Sequence, residues 1–200
     1  MDTLAAQILM VVGAYLLGSI NSAIIVSNAF SLPDPRGLGS GNPGATNVLR
    51  TGNKLAAAVT LAGDLLKGLV PVLAVDLFTA SAPLVAATGV AALLGHMYPV
   101  YYGFKGGKGV ATTLGVLLGF DWLLAMAWVV FWLFTALVFR YSSLAALVST
   151  LLVLIISWFW NDNIWLFISM AVISVFVFWR HRSNIQKLLE GTEPKLSKSK

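Results

Sequence analysis

Seven apolar stretches separated by short polar punctuation run along the chain, at residues 4 to 30, 55 to 80, 83 to 101, 110 to 120, 122 to 139, 143 to 160 and 163 to 179. A helix needs roughly 20 apolar residues to cross a hydrocarbon core about 30 Å thick. The pattern therefore predicts an all-α integral membrane protein, a bundle of seven transmembrane helices. The stretch from 110 to 120 is too short for an unaided crossing, since a helix of that length rises only about 16 Å at 1.5 Å per residue. It predicts a short fourth helix starting below the membrane surface, with the loop from Lys105 to Gly109 drawn inward, where protein and water satisfy its backbone.

Charge sets the orientation. Of the 13 Lys and Arg residues, all but Lys67 fall at one set of segment ends: Arg36, Arg50 and Lys54 after the first, Lys105 and Lys108 after the third, Arg140 after the fifth, and Arg180 onward after the seventh. The alternate ends hold only Asp2, Asp76, Asp121 and Asp162. By the positive-inside rule the N-terminus is outside and the C-terminus cytoplasmic, and merging 110 to 139 into one crossing would put Arg140 on the wrong side. No Lys or Arg precedes Arg36, so the first stretch lacks the basic region of a cleavable signal and is expected to be retained. The tail from Gly191 to Lys200 is polar and Lys-rich, and is expected to be frayed and drawn to anionic lipid heads.

Composition narrows the chemistry. The chain of 200 residues is 58% hydrophobic and 10% charged, outside the range of soluble domains. It contains no cysteine, which excludes disulfides, thiolate metal sites and a thiol nucleophile. No spacing of His or acidic residues forms a metal site. Lys67 lies three residues after Asp64 inside an apolar segment, and such a pair should face the bundle or a polar cavity. Gly13, Gly18, Ser19, Asn21 and Ser22 in the first segment suit close helix contact, and Trp122, Trp158, Trp160 and Trp165 suit interfacial anchoring.

Three polar clusters carry the candidate chemistry. The first runs Gly39-Ser40-Gly41-Asn42-Pro43-Gly44-Ala45-Thr46-Asn47, with Pro33, Asp34, Pro35 and Arg36 before it and Arg50 after it. Glycines let backbone N–H groups approach an anion, the hydroxyl and amide side chains add donors, and Arg50 adds a fork that fits phosphate. A helix starting near Thr46 would point its dipole the same way. The second, Lys105-Gly106-Gly107-Lys108-Gly109, again pairs cations with glycines, with Thr112 and Thr113 beyond it. It is not a Walker A loop, because Tyr102 and Gly109 stand where that motif needs Gly and Ser or Thr. The third places His181 and Asn184 one turn apart, beside Arg180 and Arg182. His96, near the end of the third segment, reads as a helix C-terminal dipole partner.

In this order and at these positions the clusters resemble those of the bacterial acyl-phosphate-dependent glycerol-3-phosphate acyltransferases, the PlsY family. Residues 39 to 50 look like the family's first motif, 104 to 109 its second, and His181 through Asn184 to Gly191 and Glu193 its third. The segments Gly63 to Gly68 and Gly95-His96 are also similar. The likeness covers nearly the whole chain and implies a single membrane-embedded acyltransferase domain over residues 1–200, in the bacterial inner membrane, with its site on the cytoplasmic side. It implies transfer of a fatty acyl group from acyl phosphate to the 1-hydroxyl of glycerol 3-phosphate, giving lysophosphatidate and inorganic phosphate, as the first acylation of phospholipid synthesis. No cofactor and no nucleic acid would be involved, and a phosphate acyltransferase upstream would form the donor. Carried over by position, the resemblance makes Ser40 and Arg50 catalytic, with Thr46 and Asn47 beside them, gives His181 and Asn184 a part in activity, has Gly106, Gly107 and Gly109 bind glycerol phosphate, and makes Glu193 structural. From their own chemistry, Lys108 joins the catalytic residues, Gly39, Gly41, Asn42, Gly44 and Lys105 join Thr46 and Asn47 as expected phosphate and substrate contacts, and Asp64 and Lys67 are expected to form a structural pair.

Two proton acceptors are open for the glycerol hydroxyl: His181, which titrates near neutrality, and the donor's own phosphate oxygen. Neither His96 nor His181 has an acid four residues away. The rival function, an organic-phosphate channel or carrier, predicts anion sites on both faces, whereas every basic motif lies at one set of ends. The aspartate-rich motif of alcohol phosphotransferases and the Arg and His motifs of lipid phosphatases are missing from the sequence.

Overall fold

The computed structural model describes residues 3–160 and 163–196; Asp2, Asp162 and the last four residues of the tail lie outside the described residues. Ten α-helices and two 3₁₀ turns make up the described residues, which contain no strand. Four helices are long and apolar enough to cross a membrane, rising to six spans if each of two bent helix pairs is one crossing. The protein is thus all-helical and membrane-embedded in character. The chain forms two compact units, Met1–Phe120 and Asp121–Lys200.

In the first unit, α1 (Leu4–Gly18) and α2 (Ser22–Ala29) replace the continuous stretch expected from 4 to 30. They meet at 42°. The break has a physical basis in Asn21, whose side chain accepts from the Ile24 amide and so starts a new helix. The carbonyl of Ile20 freed at the break accepts from Lys67 Nζ at 2.6 Å, as backbone opened within a membrane requires. A short α3 (Ala45–Leu49) follows, then α4 (Lys54–Thr79), α5 (Ala82–Met97) and α6 (Val110–Phe120). The last of these is the short helix expected at 110 to 120.

Small residues set the spacing in this unit, where α4 packs on α6 and α5, and α1 on α5. A Cβ added to Gly18 would meet the Ala92 carbonyl, one on Gly95 the Tyr15 carbonyl, and one on Gly115 the Leu65 carbonyl. Gly13, expected to serve the same end, faces open space. The reason is register: five residues before Gly18, it lies on another face of α1.

In the second unit, α7 (Trp122–Phe139) packs on α8 (Ser142–Trp160), and α8 on α9 (Ile164–Arg180). Asp121 caps α7 through the Leu123 and Leu124 amides and also accepts from the Trp160 indole. Trp122, Trp158, Trp160 and Trp165 are all exposed, as interfacial anchors should be. The chain bends by 59° at His181 into α10 (Arg182–Leu189). Beyond it the described part of the tail is tied down rather than frayed. Arg140 Nη2 donates to the Leu196 carbonyl at 2.8 Å, the Leu196 amide to the Arg140 carbonyl at 2.6 Å, and the Glu193 amide to the Lys187 carbonyl. The polar composition of this segment signalled solvation, but its backbone and Glu193 found partners within the unit.

Candidate active site

The first cluster is built around one side chain. Asn47 is buried, and its amide nitrogen donates to the carbonyls of Pro35 at 2.6 Å and Leu38 at 3.0 Å. Its oxygen accepts from the Ser40 amide and from Arg50 Nη1, each at 3.3 Å. One amide therefore shapes the loop and aligns Ser40 and Arg50 on its exposed side. Gly39 has φ +49, and a Cβ there would strike Asn47 Oδ1 and Arg50 Nη1, so both backbone and space require glycine.

Glycine serves this loop differently from the expected nest of anion-facing amides. The N–H of Gly41 donates to Leu38 and that of Gly44 to Asn42, while the Asn42 amide donates to Ser40 Oγ. These donors are committed within the loop. Ser40, Thr46 and Arg50 stand exposed on the same loop. Helix α3 starts at Ala45, one residue before the expected point, and its single turn adds little dipole. On the approach to the cluster, Arg36 donates to both carboxylate oxygens of Asp34, and this hydrogen bonding holds the Asp34 carboxyl below its ordinary value.

The second cluster folds back onto the end of α5. Gly106 N–H donates to the Met97 carbonyl and Gly107 N–H to the His96 carbonyl. A Cβ on Gly106 would meet the His96 carbonyl and Pro99, one on Gly107 the His96 imidazole, and one on Gly109 Leu93 and Met97. Gly109 has φ +82, and its carbonyl accepts from the Thr113 amide to open α6. Close packing explains these glycines, while in the same loop Lys105 is exposed and Lys108 half-buried.

Beneath the second loop lies a buried trio. Lys67 Nζ stands 2.9 Å from Asp64 Oδ1, and His96 Nδ1 stands 3.6 Å from the same oxygen. All three are nearly inaccessible. The pair expected on α4 is present and faces the bundle, but its connection to His96 on α5 was not expected. A signal existed: His96 is the only ionisable residue in α5, and a buried ion pair needs further hydrogen-bonding partners from neighbouring helices.

In the second unit, His181 and Asn184 are buried on adjacent turns. His181 Nδ1 lies 2.8 Å from the Val177 carbonyl. A carbonyl can only accept, so Nδ1 carries the hydrogen, and in the neutral ring Nε2 is the acceptor. Asn184 Nδ2 donates to Glu193 Oε1 at 2.7 Å, and Ser143 Oγ donates to the same oxygen. Glu193 thus accepts from two side chains of this unit. Ser143, in a segment marked only by its apolar character, is its second anchor.

A membrane-embedded helical protein with these three polar clusters defines a class of membrane enzymes, and comparison with known proteins specifies it. The family model described as glycerol-3-phosphate acyltransferase matches residues 8–191. The chain is 50% identical over 187 residues to the glycerol-3-phosphate acyltransferase of Thioalkalivibrio sulfidiphilus, covering 94% of this chain and 92% of that protein. It is 51% identical over 183 residues to that of Methylococcus capsulatus, covering 92% of each. The crystal structure of PlsY (YgiH), an integral membrane glycerol 3-phosphate acyltransferase in its glycerol 3-phosphate form, superposes with a TM-score of 0.91 at 38% identity and 96% coverage of both chains. Its lysophosphatidic acid form gives a TM-score of 0.89. The chain belongs to the glycerol-3-phosphate acyltransferase family.

Proposed function

We propose that this protein transfers a fatty acyl group from an acyl phosphate to the 1-hydroxyl of sn-glycerol 3-phosphate, forming 1-acyl-glycerol 3-phosphate and inorganic phosphate. The observation that carries the reading is the Asn47 hub, which holds Ser40 and Arg50 together on the exposed side of their loop. Membership of the acyltransferase family supports it, and the matched relatives are named as acyltransferases rather than carriers.

Both substrates are anions, so bringing them together requires positive charge. Arg50, Lys105 and Lys108 supply it, and they offset the charge that grows on the departing phosphate. Alignment of the glycerol hydroxyl against the mixed anhydride supplies much of the rate. The hydroxyl oxygen forms the ester bond, the bond between the acyl carbon and the phosphate oxygen breaks, and the proton ends on inorganic phosphate. His181, with Nδ1–H committed to Val177, can accept a hydrogen bond or a proton at Nε2 while neutral but has no second N–H to donate. Asn184 is held by Glu193 for polar contact with substrate. Thr46, Asn42, Gly39, Gly41, Gly44, Gly106, Gly107 and Gly109 shape the two loops, while Asp64, Lys67 and Glu193 act as structural residues.

Residues 1–200 work as a single acyltransferase domain, consistent with one family model running unbroken through both compact units. The chain crosses the bacterial inner membrane seven times, N-terminus outside, with its basic clusters on the cytoplasmic side. The charge asymmetry supports this orientation. A phosphate acyltransferase upstream supplies the donor.

One assay tests the reading. Purified protein is given labelled glycerol 3-phosphate with palmitoyl phosphate or palmitoyl-CoA. Lysophosphatidate from the phosphate donor alone is the expected result, and product from the CoA ester alone would overturn the donor assignment.

A further inference from the structure

We propose that His96, anchored by Asp64 and Lys67, is a positioning residue that sets the shape of the Lys105–Gly109 loop and thereby the affinity for glycerol 3-phosphate. The inference rests on the assignment of that loop to glycerol 3-phosphate.

Three contacts make His96 the floor of the loop. Its carbonyl accepts the Gly107 N–H at 3.1 Å. Its ring, on the Nε2 side, fills the space that a Gly107 side chain would occupy. The opposite ring nitrogen, Nδ1, faces Asp64 Oδ1 at 3.6 Å. The ring therefore spans from a buried carboxylate on α4 to the backbone of the glycine loop.

Asp64 is itself fixed. Lys67 holds the same carboxylate oxygen and also the Ile20 carbonyl at the break between α1 and α2. That break is tied to the α5–α6 connection by two further bonds: Tyr15 Oη donates to the Tyr98 carbonyl at 2.7 Å, and the Val100 amide donates to Ser19 Oγ. Three helices, α1, α4 and α5, thus converge on the loop through a polar core. A side-chain cluster with no purpose beyond holding helices together would have no reason to end against the one loop that carries Lys105 and Lys108. Loss of the ring would let Gly107 and Lys108 drift, and displacements of about 1 Å at a binding site cost up to about 100-fold in rate.

The test is steady-state kinetics with palmitoyl phosphate as donor, with wild-type turnover as the control for the function itself. His96→Ala should raise KM for glycerol 3-phosphate by about 10-fold or more and leave KM for the acyl phosphate within about twofold, with the melting temperature in detergent recorded alongside. Gly107→Ala, which pushes a Cβ into the ring, should show the same split. The double variant removes the ring that the Cβ would meet, so it should be no worse than His96→Ala alone, a non-additivity expected only of residues in contact. Should the alanine variants not fold, His96→Gln and Asp64→Asn, which keep the bulk, carry the same comparison. Unchanged KM for glycerol 3-phosphate in all folded variants, equal losses for both substrates, or strict additivity in the double variant would overturn the proposal.

Discussion

Asn184 donates its side-chain amide to Glu193 at 2.7 Å, so a residue of the candidate site is held by the segment that follows α10. Ser143 at the start of α8 donates to the same carboxylate oxygen, and Leu196 locks to Arg140. Glu193→Ala leaves both donors without their acceptor. It should destabilise the protein by about 1–3 kcal/mol, measured by thermal melting in detergent, with activity falling alongside. Ser143→Ala removes one donor and leaves Asn184 anchored, so it should cost less than Glu193→Ala and keep most of the turnover.

Asn47→Ala removes the hub of the first loop. The carbonyls of Pro35 and Leu38 lose a donor, and the Ser40 amide and Arg50 lose a shared acceptor. Since the loop shape positions Ser40 and Arg50, kcat/KM should drop by about 100-fold, more than the loss of stability explains. Folded yield by size exclusion and turnover on the same sample separate the two.

Arg50→Lys keeps the charge and loses the fork. It should reduce kcat/KM by at least about 10-fold with an unchanged melt, because a lysine cannot contact Asn47 and a phosphate with the same planar geometry. Near-normal kinetics in this variant would show that charge alone suffices at the position.

His181→Gln removes the ring nitrogen that could take up the glycerol proton. If the departing phosphate takes the glycerol proton, turnover should fall by less than about 10-fold and the acidic limb of the pH profile should persist. Loss of that limb with a fall of about 100-fold or more would assign the base to His181.

The Asp34–Arg36 pair makes a pH prediction with a definite sign. Hydrogen bonds from Arg36 lower the folded-state value of Asp34, so the pair's contribution is present above the ordinary carboxylate value and is lost as pH falls through the lowered one. In Arg36→Ala the Asp34 titration should move back up, as followed by carboxyl NMR. Both side chains are well exposed, so global stability should change little.

Apolar run length was enough to locate the long helices, down to the short α6 at residues 110 to 120, because spans must be long and apolar, but it did not show the break between α1 and α2 within residues 4 to 30. The motif residues were legible too, since glycine, hydroxyl and cationic groups rarely cluster in so apolar a chain. The tertiary structure alone decided what those residues touch. Gly106 and Gly107 read locally as anion-facing amides, but their N–H groups meet α5 carbonyls and their missing side chains make room for His96. His96 meets an acid 32 positions away in the chain, Asp64, and no local spacing encodes such a contact. The Ile20 carbonyl opened at the break likewise finds its donor in Lys67 of another helix. Local sequence sets which groups need a partner, and packing sets which partner each receives.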